Sequence, residues 1–294
     1  MRNLLILTAI VLASCTGNSK GSSEANAEPE TTESKFLVQD FGSFKLHAQL
    51  TNDPLGDMSF IVEGAEGLVV VEPAAFHSSI AEQQAYVQAL GKPVVCVIAD
   101  YHTAGLTTYP AEAYRMVEGM PEFVRGEIYS GMMAGFAQAF GDAIADEGEL
   151  PTQVVAREGE QQLAGIDFTF SAGAASDFPG ASVLVGGKVY YTHFSPVAGL
   201  HMNPLQITGR PAVEAQLAEL KHAKATGAEA FVGGHGIGIA TMADVDFQID
   251  YLETVKKLMD AHDNAETFAE ALKAAYPEAG LQENVSALAA NLYK

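Results

Sequence analysis

The sequence has no tryptophan, only two cysteines and few basic side chains: 16 Lys and Arg stand against 37 Asp and Glu in 294 residues, a formal charge of −21. Each shortage excludes something. So acidic a chain repels phosphate backbones, which argues against a nucleic-acid partner. Without tryptophan, and with aromatics at 9%, there is no stacking platform for sugars. Cys15 and Cys96 lack zinc-finger spacing. No Gly-x-x-x-x-Gly-Lys-Ser/Thr phosphate loop is present, and neither Ser182 nor Ser195 lies in a Gly-x-Ser-x-Gly elbow, so a serine hydrolase has little support. No apolar run reaches the roughly 20 residues of a membrane-spanning helix. What the chain does have is apolar bulk: 48% hydrophobic and 18% charged residues can bury the core of one large domain or two small ones.

The amino terminus reads as an address. Arg2 precedes the apolar stretch Leu4 to Leu12 and then Ala13-Ser14-Cys15, the layout of a secretory signal over residues 1–15. Leu12-Ala13-Ser14-Cys15 resembles the lipobox of bacterial lipoproteins, which implies lipid attachment at Cys15 and anchoring in the cell envelope. Thr16 rather than Asp after the cysteine points to the outer membrane. Residues 16–34 contain no aliphatic side chain larger than Ala and read as a flexible tether, because they cannot offset their ordering entropy by burial. Cys96, inside Val94-Val95-Cys96-Val97-Ile98, reads as a small core residue.

From 35 to about 72 the pattern predicts strands, with Lys45 to Leu50 alternating and Phe60 to Val62 and Leu68 to Val71 continuously apolar. A helix is predicted over 79–90, ended by Gly91 and Pro93, then a buried strand at 94–98. Over 127–146 Met132, Phe136, Phe140 and Ile144 form a helical stripe, read as core packing. Strands at 166–170, 183–185 and 189–191, a helix at 211–225 and a strand at 230–232 follow, with helices at 242–262, 264–274 and 283–293. Two strand-rich halves that each close with helices imply an α/β sandwich, sheets inside and helices outside.

The loops between these elements resemble the metallo-β-lactamase fold across roughly 40–240. The landmarks are Met58 to Val62, Gly67 to Glu72, Gly91 to Val94, the loop around His102, Phe178 to Ser182, Lys188 to Thr192 and Gly233 to Gly236. The resemblance implies an αββα domain over 35–241, with the helices of 242–294 packed on it or against a second copy. It also exposes a departure. Where the family carries His-x-His-x-Asp-His, this chain has Asp100, Tyr101, His102, Thr103, Ala104 and Gly105. The family's next histidine aligns with Asp177, its bridging aspartate with Phe194, and its last histidine is kept as His235. The second metal position therefore loses all but one donor, and a two-zinc centre is not expected.

The first position retains Asp100, His102 and Asp177, a trio able to hold at most one divalent ion. Its oxygen-rich character favours manganese, iron or magnesium over zinc. His193 and His235 are the candidates to orient or protonate a substrate. His201 is assigned to the surface, and His47, His77, His222 and His262 to surface or packing roles. The leading expectation is recognition of a small molecule in a remodelled site. Its competitor is single-metal hydrolysis of an ester, thioester or amide at Asp100, His102 and Asp177. A third class is an assembly subunit with an acidic docking surface.

Overall fold

The computed structural model describes residues 35–294; the signal, Cys15 and the tether lie outside the described residues. The alternating and continuous apolar runs become two sheets. In the first, β1 (Lys35–Asp40), β2 (Lys45–Leu50), β3 (Met58–Glu63), β4 (Leu68–Val71), β5 (Val94–Ala99), β6 (Tyr114–Val117) and β7 (Val154–Val155) lie side by side in chain order. Pairing is antiparallel from β1 to β4 and parallel from β4 to β7. The second sheet runs β12 (Ala230–His235), β11 (Val189–Phe194), β10 (Ala181–Val185), β9 (Ile166–Ala172), β8 (Gly159–Leu163). Only its β11–β12 pair is parallel.

The inner faces of the sheets meet in one core, where Leu46, Phe60, Val62, Val69 and Ile98 join Phe168, Val183, Tyr191 and Val232. Side chains alternate across a strand, so β11 gives Val189 and Tyr191 to this core and Tyr190 to the outer one. Helix α1 (His77–Leu90) packs Tyr86, Val87 and Leu90 against the inner core, while its Gln83 bonds the side chains of Gln49 and Ser59. It ends where Gly91 takes φ 67°, the left-handed conformation that glycine tolerates. On the other side α4 (Arg210–Ala225), α5 (Met242–Ala261), α6 (Ala265–Ala275) and α7 (Asn284–Leu292) share a second core with Tyr190 and Phe231. A Thr241–Asp244 capping box starts α5, and the Asn264 side chain caps α6. The C-terminal helices thus complete the outer layer of the second sheet.

Three local readings change. The helix predicted over 127–146 is α3 (Glu127–Phe140), preceded by the short α2 (Met120–Val124), and it stops because Gly141 adopts φ 52°. Ile144 then pairs as an isolated bridge with Phe76, joining a small cluster with Ala104 against which Phe136 and Phe140 pack. Strand β6 was absent from the sequence reading; a short 3-10 turn over Ala111–Ala113 delivers it. His201, expected at the surface, is buried: its Nδ1 meets the Tyr251 hydroxyl at 2.9 Å and its amide donates to the Gly280 carbonyl.

Because α6 belongs to a shared core, Phe268→Ala should lower unfolding stability by about 3–5 kcal/mol. Half-buried Phe136 of α3 should cost clearly less on truncation. Urea denaturation of both variants checks this, and equal losses would contradict the assignment of α6 to the core.

Candidate metal centre

The parallel strands end at one edge of the sandwich, and their ends carry the chemistry. The chain leaves β5 through Asp100, Tyr101 and His102; it leaves β4 at Glu72; β11 ends with His193 and β12 with His235. Asp57, just before β3, bridges to His235 and ties the two sheets together at this edge. Tyr191 and His193 lie two apart on β11, so both project to its inner face. Gly234 lets the His102 ring approach closely, since a Cβ there would stand 3.0 Å from its Cε1.

Three imidazoles converge. One ligand nitrogen from each of His102, His193 and His235 lies within 4.8 Å of the other two, and Nε2 of His102 is 3.1 Å from Nε2 of His235. Behind each ring stands a carboxylate on the Nδ1 side. Asp177 Oδ2 is 2.8 Å from His193 Nδ1, and Asp57 Oδ1 is 3.0 Å from His235 Nδ1. Glu72 Oε2 is 3.8 Å from His102 Nδ1 and accepts the His102 amide at 3.2 Å. A carboxylate at Nδ1 fixes the ring and leaves Nε2 free to bind, the arrangement that supports histidine ligands in metal sites.

Glu72 organises the His102 loop. It is wholly buried, sits at φ 58°, and receives the Tyr101 amide at 2.8 Å as well as the Tyr191 hydroxyl. A left-handed glutamate is strained, and these bonds hold it there. Burial pushes its pKa up to about 7 against the pull of those donors. For Asp57 burial acts upward too, but the bond to His235 and the fields of the other two histidines prevail, and its pKa is lowered. Burial lowers His102 to about 3 and also lowers His193; His235 is raised, because Asp57 outweighs its burial. The two rings that meet at 3.1 Å thus have their affinities for a proton moved in opposite directions.

The oxygen-rich trio of Asp100, His102 and Asp177 is not what the fold brings together among the described residues. Asp100 turns Oδ1 to the Ala181 amide at 2.8 Å, while its Oδ2 is buried without a hydrogen-bond partner. Burial and the neighbouring Glu72 raise its pKa well above the ordinary carboxylate value. Asp177 accepts the Phe178 amide at 2.7 Å and supports His193. The residue that enters the cluster from β11 is His193; Phe194, aligned with the bridging aspartate, lays its ring 4.4 Å from that of His193 and 4.9 Å from that of His235. Tyr101 stacks parallel on His193 at 4.2 Å. A Cβ at Gly180 would meet Tyr101 Cε1 and Asp100 Oδ1 at 2.5 Å, so this glycine is what lets the loop lie so close. Asp57 and Glu72 had been given no role; the signal for both was their place at the boundary of a buried strand.

No family model and no curated protein matches the sequence. Solved structures do. The chain is similar to a metallo-β-lactamase from Pontibacter korlensis, with 13% identity over 74% of this chain and 99% of that one, at a TM-score of 0.50. It is similar to the DIM-1 metallo-β-lactamase at 12% identity, 76% and 99% coverage and a TM-score of 0.55. It also resembles the stereoselective inverting sec-alkylsulfatase Pisa1 from Pseudomonas sp., with 15% identity, 85% of this chain but 49% of that one, and a TM-score of 0.58. At such identities the likeness establishes the fold: this chain has the metallo-β-lactamase fold, a two-sheet sandwich with helices outside.

A neutral buried His102 has a consequence for acid stability. Between its ordinary pKa of 6.5 and about 3, the unfolded chain binds a proton that the folded one refuses, so stability falls as pH drops through that window. In chelator-treated protein His102→Gln should flatten the fall of the urea midpoint with acidification. An unchanged slope would show that His102 is not held neutral.

Proposed function

We propose that this protein is a metal-dependent hydrolase with a single divalent ion held by His102, His193 and His235, acting on an ester, thioester or amide. The observation that carries this reading is the convergence of three imidazoles, each with its Nδ1 side turned to a carboxylate, two of these wholly or nearly buried and Asp177 partly so. Three protein donors with an open fourth position is the pattern of catalytic zinc sites, and imidazole suits zinc and iron. This donor set moves the preference away from manganese and magnesium, which the oxygen-rich trio would have favoured.

When bound, such an ion supplies Lewis acidity to a carbonyl oxygen and acidifies water. The chain's own residues do the rest. Asp177 keeps the Nδ1 proton of His193 in place and makes that ring a better donor, and Asp57, 3.0 Å from His235 Nδ1, sets a negative charge beside the other ring. Glu72 fixes the His102 loop through two backbone amides. Phe194 covers the His193 and His235 rings and keeps bulk water from one side of the cluster.

A second reading, small-molecule recognition without a metal, is favoured by the 3.1 Å contact between His102 and His235, which is a complete hydrogen bond in itself. Metal analysis separates the two. Protein purified without chelators should carry about one equivalent of zinc or iron, with none in His193→Ala. Asp177→Asn should weaken metal affinity about 10- to 100-fold, because Asp177 supports the ligand from behind. Protein that neither carries nor takes up metal would leave recognition as the function.

We also propose that the domain is held at the bacterial outer membrane by lipid on Cys15, with residues 16–34 as its tether. The support is the lipobox after a short apolar run. Cys15→Ser should move the protein from the membrane to the soluble fraction; retention on the membrane would refute the anchor.

A further inference from the structure

Around the three histidines the walls are apolar and the fixed charges are carboxylates. Phe178 lies 5.4 Å from the His193 ring and 4.8 Å from Phe123, and Phe194 covers His193 and His235; all three phenylalanines are half-buried, with surface left open. Ile237, two residues beyond His235, is 67% exposed. Leu55, two residues before Asp57, packs against the same Ala75, Phe76, Ala104 and Ile144 cluster as Phe136 and Phe140 of α3. Between Glu127 and Asp142 this helix and its exit carry no charged residue, in a chain of net charge −21.

Basic side chains are committed elsewhere. Lys92, Lys188, Lys221, Lys224 and Lys256 pair with Glu63, Glu229, Glu253, Asp246 and Glu214, and Arg210 lies over the Tyr293 ring. Arg157, whose charge is felt by Asp100, directs its Nε to the Gly180 carbonyl at 2.9 Å. Among the described residues no lysine or arginine bonds to the three histidines or to Asp57, Glu72, Asp100 or Asp177. An anionic group brought here would lose its hydration with no guanidinium or ammonium to replace it.

We propose that the site selects an uncharged acyl substrate with an apolar chain and discriminates against one whose chain ends in a carboxylate, with Phe194 as the specificity-determining contact. This inference rests on the metal-centre reading above. The apolar chain lies along Phe194 and Phe178, while the carbonyl end faces the histidines. A chain carboxylate would meet the same phenylalanines, in a field made more negative by Asp57 and Asp177 behind the rings.

Binding rather than turnover tests it. Full-length protein loaded with cobalt is titrated with acetohydroxamate, hexanohydroxamate and the monohydroxamate of adipic acid, a chain of the same length ending in a carboxylate, read by the visible cobalt spectrum. Hexanohydroxamate should bind at least about tenfold tighter than the carboxylate analogue, and tighter than acetohydroxamate by up to about fourfold per buried methylene. Phe194→Ala should bring the ratio of hexanohydroxamate to acetohydroxamate affinity most of the way to one, and the visible spectrum of its cobalt-loaded, unliganded form shows that the variant's site is folded. Equal or tighter binding of the carboxylate analogue, or a chain-length gain unchanged in Phe194→Ala, overturns the proposal with the metal-centre reading intact. Failure of cobalt to bind at all overturns the metal-centre reading and this inference with it.

Discussion

Three imidazoles anchored from behind by acids on opposing sheets are the constraint on which the edge of this molecule is built. His235 on β12 is tied to Asp57 before β3, and His102 after β5 to Glu72 after β4. His193 on β11 is tied to Asp177 from the loop between β9 and β10. A carboxylate buried alone is costly, and a buried imidazole resists its charge; placed together they reduce each other's cost. The opposite pKa directions of His102 and His235, whose Nε2 atoms meet at 3.1 Å, are the electrostatic mark of that sharing.

The scaffold makes the arrangement available. Parallel strands β4 and β5 in one sheet and β11 and β12 in the other end at the same edge, so four chain exits deliver polar side chains to one place. Close approach there needs small residues as much as ligands. Gly234 admits the His102 ring and Gly180 admits the Tyr101 ring, which in turn stacks flat on His193. The metallo-β-lactamase fold thus presents a three-histidine cluster at this edge.

Much of the fold was legible in the amino-acid pattern, because long apolar runs such as Val94 to Ile98 and Leu68 to Val71 admit few alternatives. Strand β6 was not, since Tyr114-Arg115-Met116-Val117 is too short to show a period, and α3 ends early because a single glycine leaves the helical region. At the site, His102 and His235 stood out from their loops. His193 was named as a pocket residue but not as a ligand, since the alignment put Phe194 at the bridging position. The period of two through Val189, Tyr191 and His193 points to the inner face, where His193 joins the other two rings. Asp100 and Asp177 were read as able to hold one ion because a carboxylate replacing a histidine retains a donor; in the structure Asp100 accepts a backbone amide and Asp177 pairs with an imidazole.

The most direct measurement is an anomalous-scattering map at the zinc edge from crystals grown with zinc. The account predicts one peak, bounded by the Nε2 atoms of His102, His193 and His235, with Asp100 and Asp177 outside ligand distance. Two peaks a few ångströms apart, or a single peak ligated by Asp100 and Asp177, would contradict it.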